Sequence, residues 1–282
     1  MASTFLYGAH VHANGIRQHF QRFGGHGQPL ILIPGITSPA PTWAFVGERF
    51  GQTHDTYVVD VRGRGLSSGG PELDYGLDAL ADDLIALACE LGLEKGRRGA
   101  PVVVGHSMGA RIAIRAARRA PGAFGRLVLA DPPVSGPGRR AYPAPLTWYV
   151  DSLRLAVHGM DWRALQPFSP TWGEADLRLR AEWLATCYEP AILRAFADFH
   201  DTDIHADLPF LGCPTQLVVA GKGGVILPDD IAEIRALNPA IVVTCVSGAA
   251  HMIPWDDFDG FFAAIDPFLQ TGTAPVVIPP KP

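Results

Sequence analysis

Short, nearly continuous apolar runs recur along the chain at 30–33, 57–61, 102–104, 127–130, 217–220 and 241–246. A strand that is apolar at every position has both faces covered, and such strands belong to a parallel sheet with helices above and below it. The stretches between the runs follow another period. Leu77, Leu80, Ala81, Leu84, Leu87, Ala88 and Leu91 recur at three- and four-residue steps, with Asp78, Asp82, Asp83 and Glu90 on the other side. That spacing predicts an amphipathic helix stopped at Gly92. A second helix is predicted from Ser107 through Ala110, Ile112, Ala113, Ala116 and Ala117 to Arg118 and Arg119, where cations suit a helix C-terminus and Pro121 follows. Ahead of all this, residues 9–23 alternate polar and apolar around Asn14-Gly15, a dipeptide that supplies positive φ for a tight hairpin turn.

Strand and helix alternation of this kind specifies an α/β fold with a mostly parallel, doubly wound sheet, opened here by an antiparallel hairpin. From 136 to 208 the strand pattern ceases and helical patterns carry Trp148, Trp162, Trp172 and Trp183, four of the six tryptophans. The segment reads as an inserted helical cap whose own core takes the indoles, one or two of them lining a pocket. The predicted organisation is a core in two parts, 1–135 and 209–270, a cap over 136–208 and a Pro-rich tail over 271–282.

Composition narrows the function classes. Of 282 residues 48% are hydrophobic and 18% charged, enough apolar material for a large core. The net charge of −5 provides no overall positive field for a nucleic acid. No apolar run approaches the roughly 20 residues that cross a bilayer, and the N-terminus lacks a basic start followed by an apolar stretch, so no membrane association is expected. Cys89, Cys187, Cys213 and Cys245 lie far apart without a CxxC pair. They are expected to be buried thiols in a reducing, cytoplasmic compartment, with no metal or cofactor.

The chemistry concentrates at Gly105-His106-Ser107-Met108-Gly109, which fits GxSxG directly after an apolar strand and directly before a helix. A sharp strand-to-helix turn leaves little room beside the backbone, so glycines flank the serine and its hydroxyl projects from the sheet edge. A serine hydroxyl needs a base that titrates near neutrality, which is histidine. His251 follows the last strand pattern in a Gly-rich loop and would reach the same edge. His106 faces away in such an elbow, and His10, His12, His19, His26 and His54 come too early. The loop after the next-to-last strand, Gly221-Lys222-Gly223-Gly224, has no acid; Asp229 and Asp230 follow Pro228 and read as helix caps. Asp131, at the end of the 127–130 strand and stiffened by Pro132-Pro133, is the expected orienting carboxylate. The backbone amides of Ile36 and Met108 are the expected oxyanion donors.

These residues resemble the α/β-hydrolase superfamily along nearly the whole chain. The likeness is carried by Pro34-Gly35, Asp60-Val61-Arg62-Gly63-Arg64-Gly65-Leu66-Ser67, the elbow, and Gly248-Ala249-Ala250-His251. Within the superfamily the chain is similar to the deformylases of aerobic nicotinate breakdown, through Ile33-Pro34-Gly35-Ile36-Thr37-Ser38-Pro39, Asp131-Pro132-Pro133-Val134-Ser135-Gly136-Pro137-Gly138-Arg139-Arg140-Ala141-Tyr142-Pro143 and His251-Met252-Ile253-Pro254-Trp255-Asp256-Asp257. The resemblance implies a triad of Ser107, Asp131 and His251, a formyl-serine intermediate and a small anionic amide substrate. One departure is the loop at 95–100, ahead of the nucleophile strand. A carboxylated substrate needs a facing cation, and Arg139 and Arg140, after the acid loop, are the candidates for a bidentate contact.

Other readings are weaker. His10-x-His12 and the 200–207 patch carry metal-friendly residue types, without further ligands for the first and with a capped helix end as the plainer account of the second. The GxGxxA match at 136–141 does not follow the first strand, as a dinucleotide fold requires. A reaction on another small carboxylated substrate, at an ester, an enol lactone, an acylaminomethylene-type amide or a carbon–carbon bond, or a ligand receptor without turnover, stays open at this point.

Overall fold

Asn14 and Gly15 both take positive φ, 49° and 73°, and close a hairpin between β1 (Phe5–Ala13) and β2 (Ile16–Phe23). Both central residues of a type I′ turn need that conformation, and its twist matches the flanking strands. The computed structural model describes residues 2–93 and 98–272. Nearly all of the Pro-rich tail and the first half of the loop at 95–100 lie outside them.

The six apolar runs become β3 (Pro29–Ile33), β4 (Asp55–Val59), β5 (Val102–His106), β6 (Arg126–Ala130), β7 (Thr215–Ala220) and β8 (Val242–Val246). Together with the hairpin they form one sheet in the order β1-β2-β4-β3-β5-β6-β7-β8. The first two pairings, β1 with β2 and β2 with β4, are antiparallel, and the rest are parallel. The strand expected at 57–61 starts and ends earlier because two polar residues are built into it. Asp55 is fully buried and paired with Arg22 Nε at 2.7 Å, while the chain leaves the sheet at Asp60.

Successive side chains of the parallel strands go to opposite faces. Ile31, Ile33, Val103, Leu127, Leu129 and Leu217 pack with Leu80, Leu84 and Ile112 of helices Leu77–Glu90 and Met108–Arg119. Leu30, Leu32, Val102, Val104, Val128 and Val218 pack with Val46, Phe50, Phe261 and Ile265 of helices Ala44–Phe50 and Phe258–Thr271. Each fully buried side chain of this size contributes roughly 1.5–3 kcal/mol relative to exposure. Strand β5, which leads into Ser107, is therefore held from both faces.

Between β6 and β7 the chain runs through helices Leu146–Val157, Glu174–Leu184 and Glu189–Asp201, with a 3₁₀ turn at Trp162–Phe168. Arg111 of helix Met108–Arg119 fastens this layer to the sheet. Its buried guanidinium donates to the carbonyls of Pro133 (2.7 Å), Asp198 (2.7 Å) and Thr202 (2.6 Å). Tyr188 N also donates to Gly63 O at 2.8 Å. The helical layer is thus fixed above the C-terminal ends of the strands. The cysteines differ from expectation: Cys187 is buried, but Cys89 is exposed, because it falls beside the polar stripe of helix Leu77–Glu90. No helix among the described residues is long and apolar enough to cross a membrane.

Candidate active site

Ser107 joins β5 to helix Met108–Arg119 with φ 54° and ψ −117°, a strained conformation for a residue with a side chain. The flanking glycines are required by contact. A Cβ on Gly105 would stand 2.4 Å from Gly109 O, and one on Gly109 would stand 2.1 Å from Ile33 O. The strain is supported by the bond from Ser107 N to Ala130 O, 2.8 Å, across to β6.

The three side chains expected from distant parts of the sequence meet at this edge. Ser107 Oγ lies 3.1 Å from His251 Nε2, and His251 Nδ1 lies 2.7 Å from Asp131 Oδ2. An ionised carboxylate only accepts, so Nδ1 donates to Asp131 and Nε2 is left to accept from the serine hydroxyl. Asp131 is itself fixed. It has no exposed surface, its own amide donates to Val218 O at 2.8 Å, and its Oδ1 accepts from Ala220 N at 3.3 Å. Asp229 and Asp230 lie instead in the first turn of helix Pro228–Leu237, where Asp230 accepts from the amide of Leu227 at 2.7 Å.

His106 turns away from the serine. Its Nε2 donates to the carbonyl of His251 at 2.8 Å, and burial together with the neighbouring His251 lowers its pKa to about 3, so it is neutral. Met108 opens its helix, so its amide is one of the four with no carbonyl a turn back. Ile36 lies in the loop after β3, where Arg64 Nε donates to its carbonyl at 3.0 Å. The Arg64 guanidinium is fully buried, and desolvation lowers its pKa to about 10.

A cavity of about 420 Å³ opens over Ser107 and His251. Trp148, Phe168 and Trp172 make much of its wall, and Tyr142, Tyr149, Thr37, Arg180 and Asp256 add polar groups. Trp162 and Trp183 do not line it. Tyr142 Oη stands 3.3 Å from His251 Nε2 and 3.1 Å from Tyr149 Oη, and burial holds its phenol well above the usual range, so it stays protonated.

Arg139 and Arg140 are not brought to the cavity. Arg139 is paired with Glu233 at 2.7 Å, and Arg140 with Asp230 at 2.7 Å, both on helix Pro228–Leu237. Their charges are spent on surface carboxylates that lie some ninety positions away in sequence, which local reading does not reach. Among the described residues, the guanidinium that does line the cavity is Arg180, on helix Glu174–Leu184, and it is only 3% exposed. Its Nη1 donates to Thr37 O at 3.3 Å and its Nη2 to Thr37 Oγ1 at 3.1 Å. The signal for it was present: Arg180 stands between Leu177 and Leu184 at steps of three and four, a charge on a buried helical stripe.

The remaining motifs lie outside the lining of this cavity. His10 Nε2 bonds Leu66 O at 3.2 Å, His205 caps onto Asp203, and no group of three or more possible metal ligands occurs among the described residues. The 136–141 stretch is irregular chain after β6 and opens no helix.

The chain is similar to known proteins over nearly its whole length. Residues 30–265 match the profile of the alpha/beta hydrolase family. The chain is 61% identical over 268 residues to N-formylmaleamate deformylase of Pseudomonas putida, covering 95% of this chain and 98% of that protein. It is 35% identical to 2-(acetamidomethylene)succinate hydrolase of Mesorhizobium japonicum, over 81% of this chain and 83% of that one. A crystal structure of N-formylmaleamic acid deformylase from Pseudomonas putida superposes with a TM-score of 0.87 at 56% identity, covering 92% of this chain and all of the other.

Proposed function

The chain belongs to the alpha/beta hydrolase family, and from that premise we propose that it hydrolyses the formyl C–N bond of N-formylmaleamate, releasing maleamate and formate in nicotinate breakdown. The observation that carries the proposal is the Ser107–His251–Asp131 relay, with spacings of 3.1 Å and 2.7 Å, in a chain 61% identical to a deformylase over nearly its full length.

Ser107 attacks the formyl carbon while His251 Nε2 takes the hydroxyl proton, and Asp131 stabilises the resulting imidazolium. The amides of Ile36 and Met108 hold the negative oxygen; losing one such donor typically costs about 2.7–4 kcal/mol of transition-state stabilisation. His251 then delivers its proton to the departing nitrogen as the C–N bond breaks. Water, deprotonated by His251, attacks the formyl-serine and frees formate. The leaving nitrogen also carries the maleamoyl carbonyl, which delocalises its developing charge and makes it a better leaving group than that of a peptide.

The test is formate release from N-formylmaleamate by purified protein, with 2-(acetamidomethylene)succinate and a simple ester alongside. The proposal expects formate well above the rate on either comparator. Rapid ester cleavage with no formate, or acetate release from the acetamido substrate as the main activity, would overturn the substrate assignment while leaving the fold intact.

A further inference from the structure

The buried arginines of this chain are not alike. Arg111 meets the carbonyls of Pro133, Ser135, Asp198 and Thr202, and Arg64 meets those of Ile36, Arg62 and Ala191. Carbonyl oxygens replace water around both cations, as burial of a charge requires. Among the described residues, Arg180 has only Thr37 as a hydrogen-bond partner. Of its five N–H donors one meets the carbonyl and one the hydroxyl of that residue, and its Nε is buried with no partner at all. No carboxylate among the described residues forms an ion pair with it. Asp256, the acid that shares the cavity, is engaged instead by the amide of Ala250 at 3.0 Å and the hydroxyl of Thr171 at 3.2 Å.

Two indoles flank Arg180. Its guanidinium carbon lies 5.8 Å from the ring centre of Trp148 and 5.7 Å from that of Trp172. These π faces stabilise a cation but satisfy no N–H donor. A desolvated, half-satisfied guanidinium facing an open cavity is costly unless an anion completes it, and a planar fork fits a carboxylate through two parallel bonds.

We propose that Arg180 is the anchor for the carboxylate of the small substrate, binding it through its unfilled N–H donors so that the acyl carbon at the other end meets Ser107. This assignment rests on the reading above that the substrate is a carboxylated amide. It replaces Arg139 and Arg140 in that role. It also links anchor and chemistry, because Arg180 holds Thr37, the neighbour of the oxyanion donor Ile36.

Because of that link, a purely structural role must be separated from an anchoring one. Structural loss of the Thr37 contact slows every acyl substrate alike, whereas loss of an anchor removes a preference for anions. The experiment measures, by titration calorimetry, the binding of maleamate and of its neutral diamide, maleamide, to wild type and to Arg180→Gln. Wild type is expected to bind maleamate about 10- to 100-fold more tightly than maleamide, the range that charge-assisted hydrogen bonds supply. Arg180→Gln is expected to bind the two about equally, by losing affinity for maleamate alone. No anion preference in wild type, or an unchanged preference in Arg180→Gln, would overturn the assignment.

Should the Gln variant fail to fold, Arg180→Lys serves, since it keeps the charge without the fork. It is expected to lose part of the maleamate affinity and none of the maleamide affinity, and an equal loss on both contradicts the proposal. Neither ligand contains a formyl group, so the outcome stands whether or not formate release is observed. Failure of the anchor and failure of the deformylase reading are therefore told apart.

Discussion

Replacing Asp131 by Asn isolates the electrostatics of the relay from its shape. Asp131 has φ 46°, in the left-handed region, where Asn is among the few non-glycine residues that fit, so the backbone tolerates the change. The two carboxylate oxygens have different tasks: Oδ2 accepts from His251 Nδ1 at 2.7 Å, and Oδ1 accepts from the amide of Ala220 at 3.3 Å. Asn has one acceptor and one donor to offer. Were its oxygen to face His251, its NH₂ would oppose the Ala220 amide, donor against donor, in a buried site. The favoured arrangement gives the oxygen to Ala220 and the NH₂ to His251. Nδ1 must then accept, the ring proton moves to Nε2, and the base can no longer take the proton of Ser107. A wrong tautomer in a relay of this kind lowers kcat by about 10⁴-fold, ~5.4 kcal/mol at 1.36 kcal/mol per decade. The assay is kcat for formate release, with unfolding by urea followed in parallel to establish that the variant is folded. Asp229→Asn and Asp230→Asn are the comparators and should stay near wild type. Activity of Asp131→Asn within tenfold of wild type, or a matching collapse in either comparator, would refute the argument.

Three further outcomes follow from the same contacts. Gly109→Ala places a Cβ 2.1 Å from the carbonyl oxygen of Ile33, backbone that cannot yield, so about 3 kcal/mol of stability should be lost with most of the activity; a urea midpoint equal to that of wild type contradicts the steric account. Arg62→Ala strips the buried Asp83 of its guanidinium partner and should cost about 3–5 kcal/mol in urea unfolding, and a loss below 1 kcal/mol would mean the pair is not desolvated. Arg139→Ala and Arg140→Ala each remove a surface ion pair worth at most about 1 kcal/mol, so KM for N-formylmaleamate should stay within about twofold; a tenfold rise in KM would return them to substrate binding.

The sheet was legible because its strands are apolar on both faces, and the elbow because two glycines are needed wherever a backbone carbonyl stands within 2.1–2.4 Å of a would-be Cβ. The loop positions of Asp131 and His251 followed from where strands end. What escaped is non-local. The start of β4 was missed because Asp55 and Thr56 are polar, and the buried carboxylate there is explained by two distant arginines, Arg22 of β2 at 2.7 Å and Arg98 at 2.6 Å. Arg139 and Arg140 looked free because their acids come from a helix much later in the chain. Arg180 was passed over because a charge on a buried stripe reads as exposed until the helix it rides on is set against the cavity.

The most direct measurement joins nucleophile and reaction in one titration: a fluorophosphonate is added in steps, formate release from N-formylmaleamate is read after each, and the adduct is mapped by peptide mass. Activity is expected to reach zero at one equivalent, with the adduct on Ser107 and with no adduct formed on Ser107→Ala. Formate release that persists once Ser107 is fully modified would contradict it.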